Sequence, residues 1–292
     1  MAPQNDPSRL RLALPKGRMQ AGVFDLLSGA SITLRAGERD YRPVISLPGF
    51  EVKILKPQNI VRMLGAGARD IGFAGADWVA ELGADLVEVL DTGLDPVRLV
   101  AAAPAALLDD GALPAGQPLV VASEYERLTR DWIAARGLDA TFLKAYGATE
   151  VFPPEDADCI IDNTATGSTL RSNGLEIVDE LMRSSTRLYV NPRVLDNADC
   201  REQIENLVML LESVLESRRR VMVEVNVATD RLDDLVAILP CMRVPTVSTL
   251  NGDAGYAVKV AVPRDELTSL IPLIKGKGGT DIVVTSLAQI VP

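Results

Sequence analysis

The stretch CIIDNTATGSTLRSNGL, residues 159–175, runs from three apolar positions through Asp162 into a loop of small hydroxyl residues around Gly167, then into a helix-like segment. Residues 157–163, ADCIIDN, read as a buried strand, and strand, tight turn and helix in succession form the repeating unit of an α/β fold. The turn TATGST brings several backbone N–H groups to a helix start, where they and the helix dipole hold phosphate. Hydroxyls of Thr166, Ser168 and Thr169 add donors at the same point. A Thr or Ser cap on the helix accounts for the same residues, so locally the phosphate cradle and the capped turn stand level. A P-loop is ruled out because the GK[ST] ending is missing.

On the N-terminal side, LRLALP (10–15) and EVKILK (51–56) read as strands, PQNIVRMLGAG (57–67) as a helix, DIGFAG (70–75) as a strand and ADWVAEL (76–82) as a helix. VRLVAAA (97–103) and PLVVAS (118–123) follow as strands, and EYERLTRDWIAARG (124–137) as a helix ending at Gly137; the Pro-, Ala- and Gly-rich stretch 105–118 reads as a loop. This alternation predicts α/β architecture with mainly parallel sheets. Beyond the opening stretch, Ile204, Leu207, Val208, Leu211, Val214 and Leu215 keep helical spacing from Asp199 to Ser217. Arg218, Arg219 and Arg220 close that helix, where cations complement the dipole. Residues 221–292 alternate as strand, helix, strand, strand, helix, strand, the βαββαβ order of a ferredoxin-like unit. None of its residues looks catalytic, which predicts a regulatory or assembly module.

The 292 residues are 47% hydrophobic, enough for a substantial core and for two or three domains. Forty acidic residues against thirty basic ones give a formal charge of -10, which disfavours nonspecific nucleic-acid or anionic-membrane binding. No apolar run approaches the roughly 20 residues of a membrane span, and no signal h-region is seen, so a cytoplasmic protein is expected. Cys159, Cys200 and Cys241 are scattered and odd in number, as expected of buried reduced thiols. The chain has no histidine, which removes Ser-His-Asp and Cys-His chemistry and the commonest general base. Catalysis therefore falls to lysine, arginine, carboxylates, hydroxyls, backbone amides or a metal held mainly by substrate oxygens.

LPKGRM (14–19) sits at the C-terminal end of the first strand, the edge where open α/β sheets bind ligands, so Lys16 and Arg18 are candidates for a phosphate or pyrophosphate. A solvated pair of charges near a helix start is the alternative. GAGARDIGFAGADW (65–78) has glycines like those of a dinucleotide loop, but they follow a helix and precede a strand, the reverse of the Rossmann order. NAD binding is rejected there. Gly72 and Gly75 are expected to let backbone approach a ligand, with Asp77 capping the next helix.

Together LPKGR, KPQNI (56–60), DIGFAGADW, GATEVFPPEDADCIIDNTATGSTLRSNGL (147–175) and PTVSTL (245–250) resemble the ATP phosphoribosyltransferase family in its long form, in order over nearly the whole chain. The resemblance implies a two-lobed, type II periplasmic-binding-protein-like catalytic unit, with lobe I in 1–98 and 178–217 and lobe II in 99–177. It also implies a ferredoxin-like regulatory domain in 218–292. The implied reaction joins ATP to phosphoribosyl pyrophosphate with Mg2+ present, giving phosphoribosyl-ATP and pyrophosphate, under feedback inhibition by histidine. The implied assembly is a hexamer, with a dimer as its smaller form.

Carried over by position, Asp162 accepts hydrogen bonds from the ribose hydroxyls, and Thr164, Ala165, Thr166, Gly167, Ser168 and Thr169 hold the 5'-phosphate. Lys16, Gly17 and Arg18 face pyrophosphate or ATP phosphates, with Arg39 and Lys56 as helpers and Gly75, Asp77 and Glu150 near the cleft. Thr246, Ser248 and Leu250 lie near the histidine site. Lys56 and Asn59 depart from the expected RPQDI, and lysine keeps the charge while losing the bidentate fork. A solute-binding protein or a regulatory homologue with the same two lobes is the competing expectation.

Overall fold

The computed structural model describes residues 9–35 and 41–291, so Arg39 lies outside the described residues. The chain divides into two compact units, residues 1–25 with 33–203 and residues 26–32 with 204–292.

The first unit opens with β1 (Leu10–Pro15), the part of α1 (Arg18–Gly29) up to Asp25, a short pair β2 (Leu34–Arg35) and β3 (Val44–Ile45), and β4 (Phe50–Leu55). Next come α2 (Pro57–Gly65), β5 (Ile71–Gly75), α3 (Ala76–Leu82) and a long strand β6 (Val87–Pro104). Then follow β7 (Leu119–Ser123), α4 (Glu126–Arg136), β8 (Ala140–Lys144), β9 (Cys159–Thr164), α5 (Ser168–Ser172) and a second long strand β10 (Leu175–Val190). Eight strands form one sheet in the order β4-β1-β5-β10-β6-β9-β7-β8. Within β4-β1-β5 and β9-β7-β8 all pairs are parallel. Such strands are covered on both faces, which is why β5 is buried at every residue and β1 at every residue but Arg11. Arg11 is matched by a two-pronged contact to Asp70, its Nε donating at 2.8 Å and a terminal nitrogen at 2.6 Å.

The two parallel halves are joined by β6 and β10, which run antiparallel to each other and to the strands they meet, β9 and β5. The expectation of mainly parallel sheets is therefore corrected to a mixed sheet. Sequence reading found only residues 97–103 of β6 and none of β10. Along β10 the pairing shifts register at five places, so its side chains do not alternate regularly, and much of it is half-exposed or exposed. The result is one mixed α/β sheet built of two parallel halves, as the two-lobed expectation requires.

The second unit holds the C-terminal part of α6 (Ala198–Arg219), then β11 (Arg220–Val227), α7 (Leu232–Val236), β12 (Thr246–Thr249), β13 (Tyr256–Pro263), α8 (Leu267–Gly276) and β14 (Thr280–Ser286). The sheet order β12-β13-β11-β14 is antiparallel throughout and has ferredoxin-like topology. Strict alternation along β11 buries Val221, Val223, Val225 and Val227 with Leu235, Leu270 and Ile274 of the two helices, leaving the other face of the strand half-buried. Among the described residues no helix is long and apolar enough to cross a membrane. Cys159 and Cys200 are buried as expected, whereas Cys241 is only half-buried. Burial pushes the Cys159 thiol up to about 12, which keeps it inert.

Candidate active site

In parallel strand-helix units the C-terminal strand ends present loops and helix starts to one side. Here β1 ends into Lys16 and Arg18, β5 into Gly75 and Asp77, β7 into Tyr125, and β9 into Asp162 and Asn163. A cleft of about 230 Å³ joins the groups from both halves, lined among others by Lys16, Arg18, Asp77, Asp95, Asn163 and Ser184.

Lys16 is exposed, donates to the Tyr41 hydroxyl at 2.9 Å and lies 4.8 Å from that ring's centroid. Its hydrogen bond and charge favour the phenolate and lower the Tyr41 pKa. Gly17 has φ of +90°, which turns the chain sharply into α1. Arg18 begins that helix, with no acidic residue in the first turn, and donates from Nη1 to Asn163 Oδ1 at 3.4 Å. A cation at a helix start, unfavourable by itself, is thus held at a cleft where it can face an anion.

Asp77 does not cap α3. The N-cap is Gly75, with no side-chain cap, and the Asp77 carboxylate, only 5% exposed, turns instead to the other half of the sheet. Its Oδ1 accepts from Ser184 Oγ at 2.8 Å and its Oδ2 from Tyr125 Oη at 2.7 Å. The Tyr125 oxygen in turn accepts from Asn163 Nδ2 at 2.9 Å. Gly75 is required by close approach, since a Cβ there would overlap Asp77 Oδ1. A second tie runs through Glu81 on α3, whose two oxygens accept the Arg127 and Leu128 N–H groups at 3.1 Å and so satisfy two of the orphan donors at the start of α4.

Asp162 sits half-buried near the end of β9, accepting the N–H of Asn163 at 2.6 Å and the hydroxyl of Thr149. Burial raises its pKa above the ordinary aspartate value; the Thr149 and Asn163 hydrogen bonds oppose that rise, and Glu150 and Glu124 reinforce it. Glu150 thus acts on the Asp162 carboxylate through its charge. In the loop that follows, Thr164 Oγ1 accepts the Gly167 N–H at 2.9 Å, and Thr166 Oγ1 accepts the Ser168 N–H at 3.3 Å. The expected Thr or Ser cap is corrected: the N-cap of α5 is Gly167 at φ of +73°, with no side-chain cap. Hydroxyls knit the loop itself, and Ala165, Thr166, Ser168 and Thr169 stay exposed.

Lys56 is exposed at the N-cap of α2, where its carbonyl accepts the Asn59 and Ile60 N–H groups at 2.9 and 3.1 Å, and Asn59 is exposed beside it. On the second unit, Thr246 and Ser248 are exposed along β12 and Leu250 is half-buried just after it. Among the described residues no group of three or more His, Cys, Asp or Glu is arranged to hold a metal ion. Sequence reading missed Tyr125, Ser184 and Asn163 as a set, because the contacts that join them and Asp77 span 38 to 107 positions of sequence. Tyr125 did carry a signal: it stands just past the C-terminal end of β7, the same edge that pointed to Lys16.

A family profile described as ATP phosphoribosyltransferase matches residues 56–213, and one described as HisG, C-terminal domain matches 217–289. An ATP phosphoribosyltransferase of Pelotomaculum thermopropionicum is 36% identical over 292 aligned residues, covering 97% of this chain and 100% of the relative. That of Desulforudis audaxviator is also 36% identical, with the same coverage of both chains. Among solved structures, a chain of the Thermotoga maritima ATP phosphoribosyl transferase (HisG:HisZ) complex superposes with a TM-score of 0.63 at 26% identity, covering 71% of this chain and 98% of that one. With the two profiles, near-complete alignment to such relatives and a matching two-halved fold in hand, the chain belongs to the ATP phosphoribosyltransferase family in its long form, a transferase of the first step of histidine biosynthesis.

Proposed function

We propose that the cleft transfers the 5-phosphoribosyl group of phosphoribosyl pyrophosphate to N1 of ATP, releasing pyrophosphate. The observation that carries this reading is the cleft where Lys16 and Arg18 from one half of the sheet meet Asn163 from the other, Arg18 lying 3.4 Å from Asn163, the residue after Asp162. Adenine N1 offers a lone pair, and C1 of the sugar becomes cation-like as pyrophosphate departs. No protein base or covalent nucleophile is needed, which suits a chain without histidine.

In this reading Asp162 accepts the ribose hydroxyls and the loop Thr164 to Thr169 binds the 5'-phosphate through its backbone N–H groups and the exposed hydroxyls of Thr166, Ser168 and Thr169. Lys16, Gly17 and Arg18 take the pyrophosphate, where negative charge builds as the bond to C1 breaks. Lys56 and Arg39 serve the ATP phosphates. Gly75, Asp77 and Glu150 are assigned to the ATP or pyrophosphate site as well; Gly75 and Asp77 line the cleft, and Ser184 and Tyr125 hold the Asp77 carboxylate in place. Asp95 on the cleft wall and Asp162 beside Asn163 offer carboxylates without a closed cage, which fits Mg2+ carried on substrate phosphates. When bound, the ion would neutralise charge on the leaving pyrophosphate.

The proposal assigns residues 1–98 and 178–217 to lobe I, 99–177 to lobe II and 218–292 to a regulatory domain. It includes histidine inhibition through Thr246, Ser248 and Leu250, a hexamer built from dimers, and a cytoplasmic setting. The test is an absorbance assay for phosphoribosyl-ATP with purified protein, ATP, phosphoribosyl pyrophosphate and Mg2+. Product is expected only with all three present and less of it with added histidine. No product from folded protein would refute the reaction, and undiminished activity at saturating histidine would refute the regulatory assignment.

A further inference from the structure

Hydrogen bonds have direction, and around Tyr125 the direction propagates. A carboxylate only accepts, so Ser184 and Tyr125 both donate to Asp77, at 2.8 and 2.7 Å. With its one proton committed to Asp77, the Tyr125 oxygen can only accept from Asn163, whose Nδ2 lies 2.9 Å away. That orients the amide. With Nδ2 turned to Tyr125, Oδ1 is the atom left facing Arg18 Nη1 at 3.4 Å. The reversed amide would set N–H donors against a guanidinium that has only donors of its own.

Several contacts keep the phenol where this chain needs it. Tyr125 is 1% exposed, its ring centroid lies 4.7 Å from that of Trp78, and its own N–H donates to Ser123 Oγ at 2.9 Å. Burial, and next the Asp77 charge, raise its pKa, so the proton stays on the phenol at any working pH.

We propose that Tyr125 is a positioning residue which, through the Asn163 amide, aims the Arg18 guanidinium at the pyrophosphate of phosphoribosyl pyrophosphate. The inference rests on the reading of Arg18 as a pyrophosphate ligand. It adds a group that belongs to neither the hydroxyl loop nor the Lys16–Arg18 turn and that touches no substrate.

The test is a double-mutant cycle on the full chain, with steady-state rates for both substrates. Tyr125→Phe keeps the ring against Trp78 and removes only the hydroxyl. It is expected to lower kcat by about tenfold while the KM for ATP changes by less than about twofold. Asn163→Ala, at a half-buried position, is expected to give a similar loss. In an Arg18→Ala background, adding Tyr125→Phe is expected to change kcat by less than about twofold, because the residue being aimed is gone. Losses that multiply in that background, or full kcat in either Tyr125→Phe or Asn163→Ala, would overturn the proposal. Wild-type kcat in Arg18→Ala alone would instead refute the assignment of Arg18, an outcome the cycle separates from the first.

Discussion

Gly75→Ala isolates the packing around Asp77. Gly75 has φ of -73° and ψ of 142°, a conformation alanine adopts freely, so no backbone strain enters. The new methyl would overlap Asp77 Oδ1 and sit 3.3 Å from its Cγ, and ordinary contact requires the carboxylate to retreat by about 1 Å. Oδ1 is the acceptor for Ser184 at 2.8 Å, and the same rigid group holds Tyr125 through Oδ2 at 2.7 Å. A hydrogen bond to a charged group contributes about 1.5–3 kcal/mol, so losing one or both costs roughly 2–5 kcal/mol. Reduced freedom of the unfolded chain returns about 0.4–1 kcal/mol. The net is a destabilisation of about 1–4 kcal/mol, a fall in Tm of roughly 2–16 °C for a unit of this size. Thermal melts at neutral pH measure it, with Gly65→Ala as control. A Cβ added at Gly65 would meet no atom within 4 Å, and alanine there is expected to stabilise by about 0.4–1 kcal/mol. A Gly75→Ala protein that melts as high as the Gly65→Ala protein would refute the reasoning.

Asp162 accepts ribose hydroxyls most strongly when ionised, and its pKa is raised by burial, so kcat/KM for phosphoribosyl pyrophosphate is expected to fall on the acid side above the usual aspartate value of 3.8. The Thr149 hydrogen bond works against that rise; Thr149→Ala should move the acid limb to higher pH, and a pH-rate profile that stays put would contradict the assignment. The stability sign is opposite to that of a paired carboxylate. A folded pKa above the unfolded one costs stability at neutral pH, and the cost is relieved as pH falls through the folded value. Asp162→Asn should therefore melt no lower than wild type at neutral pH while losing activity by orders of magnitude, as paired melts and rate assays would reveal. Gly167→Val meets only the flexible Arg171 tip at 3.0 Å and Ile177 at 3.5 Å, but at φ of +73° a β-branched residue is strained, so it should open the loop and cost activity by orders of magnitude. Near-wild-type rates would remove that loop from the site.

Elements whose signal is local were legible in the chain. The strands at 10–15 and 71–75, the helices at 57–65 and 76–82, and the βαββαβ order of the C-terminal region follow from apolar period and turn residues, and the structure has them. The positions of Lys16 and Arg18 just past β1, of Asp162 near the end of β9 and of the hydroxyl loop after it were legible as well, because charged and hydroxyl residues stood where strands end. The antiparallel link was not. Residues 87–96 and all of β10 carry bulged, partly exposed pairing that breaks the period a strand is recognised by. Nor could local reading assign Asp77, where a helix cap and a buried acceptor ask for the same residue type; what decided was Ser184, 107 positions away, and Tyr125, 48 away. Which charged and hydroxyl residues stand just past a strand end was set by the order of amino acids alone, since that depends on side-chain type and distance from the strand. Which of them share one cleft, and which way the Asn163 amide points, were settled only on folding, because both depend on hydrogen-bond partners that chain order does not make neighbours.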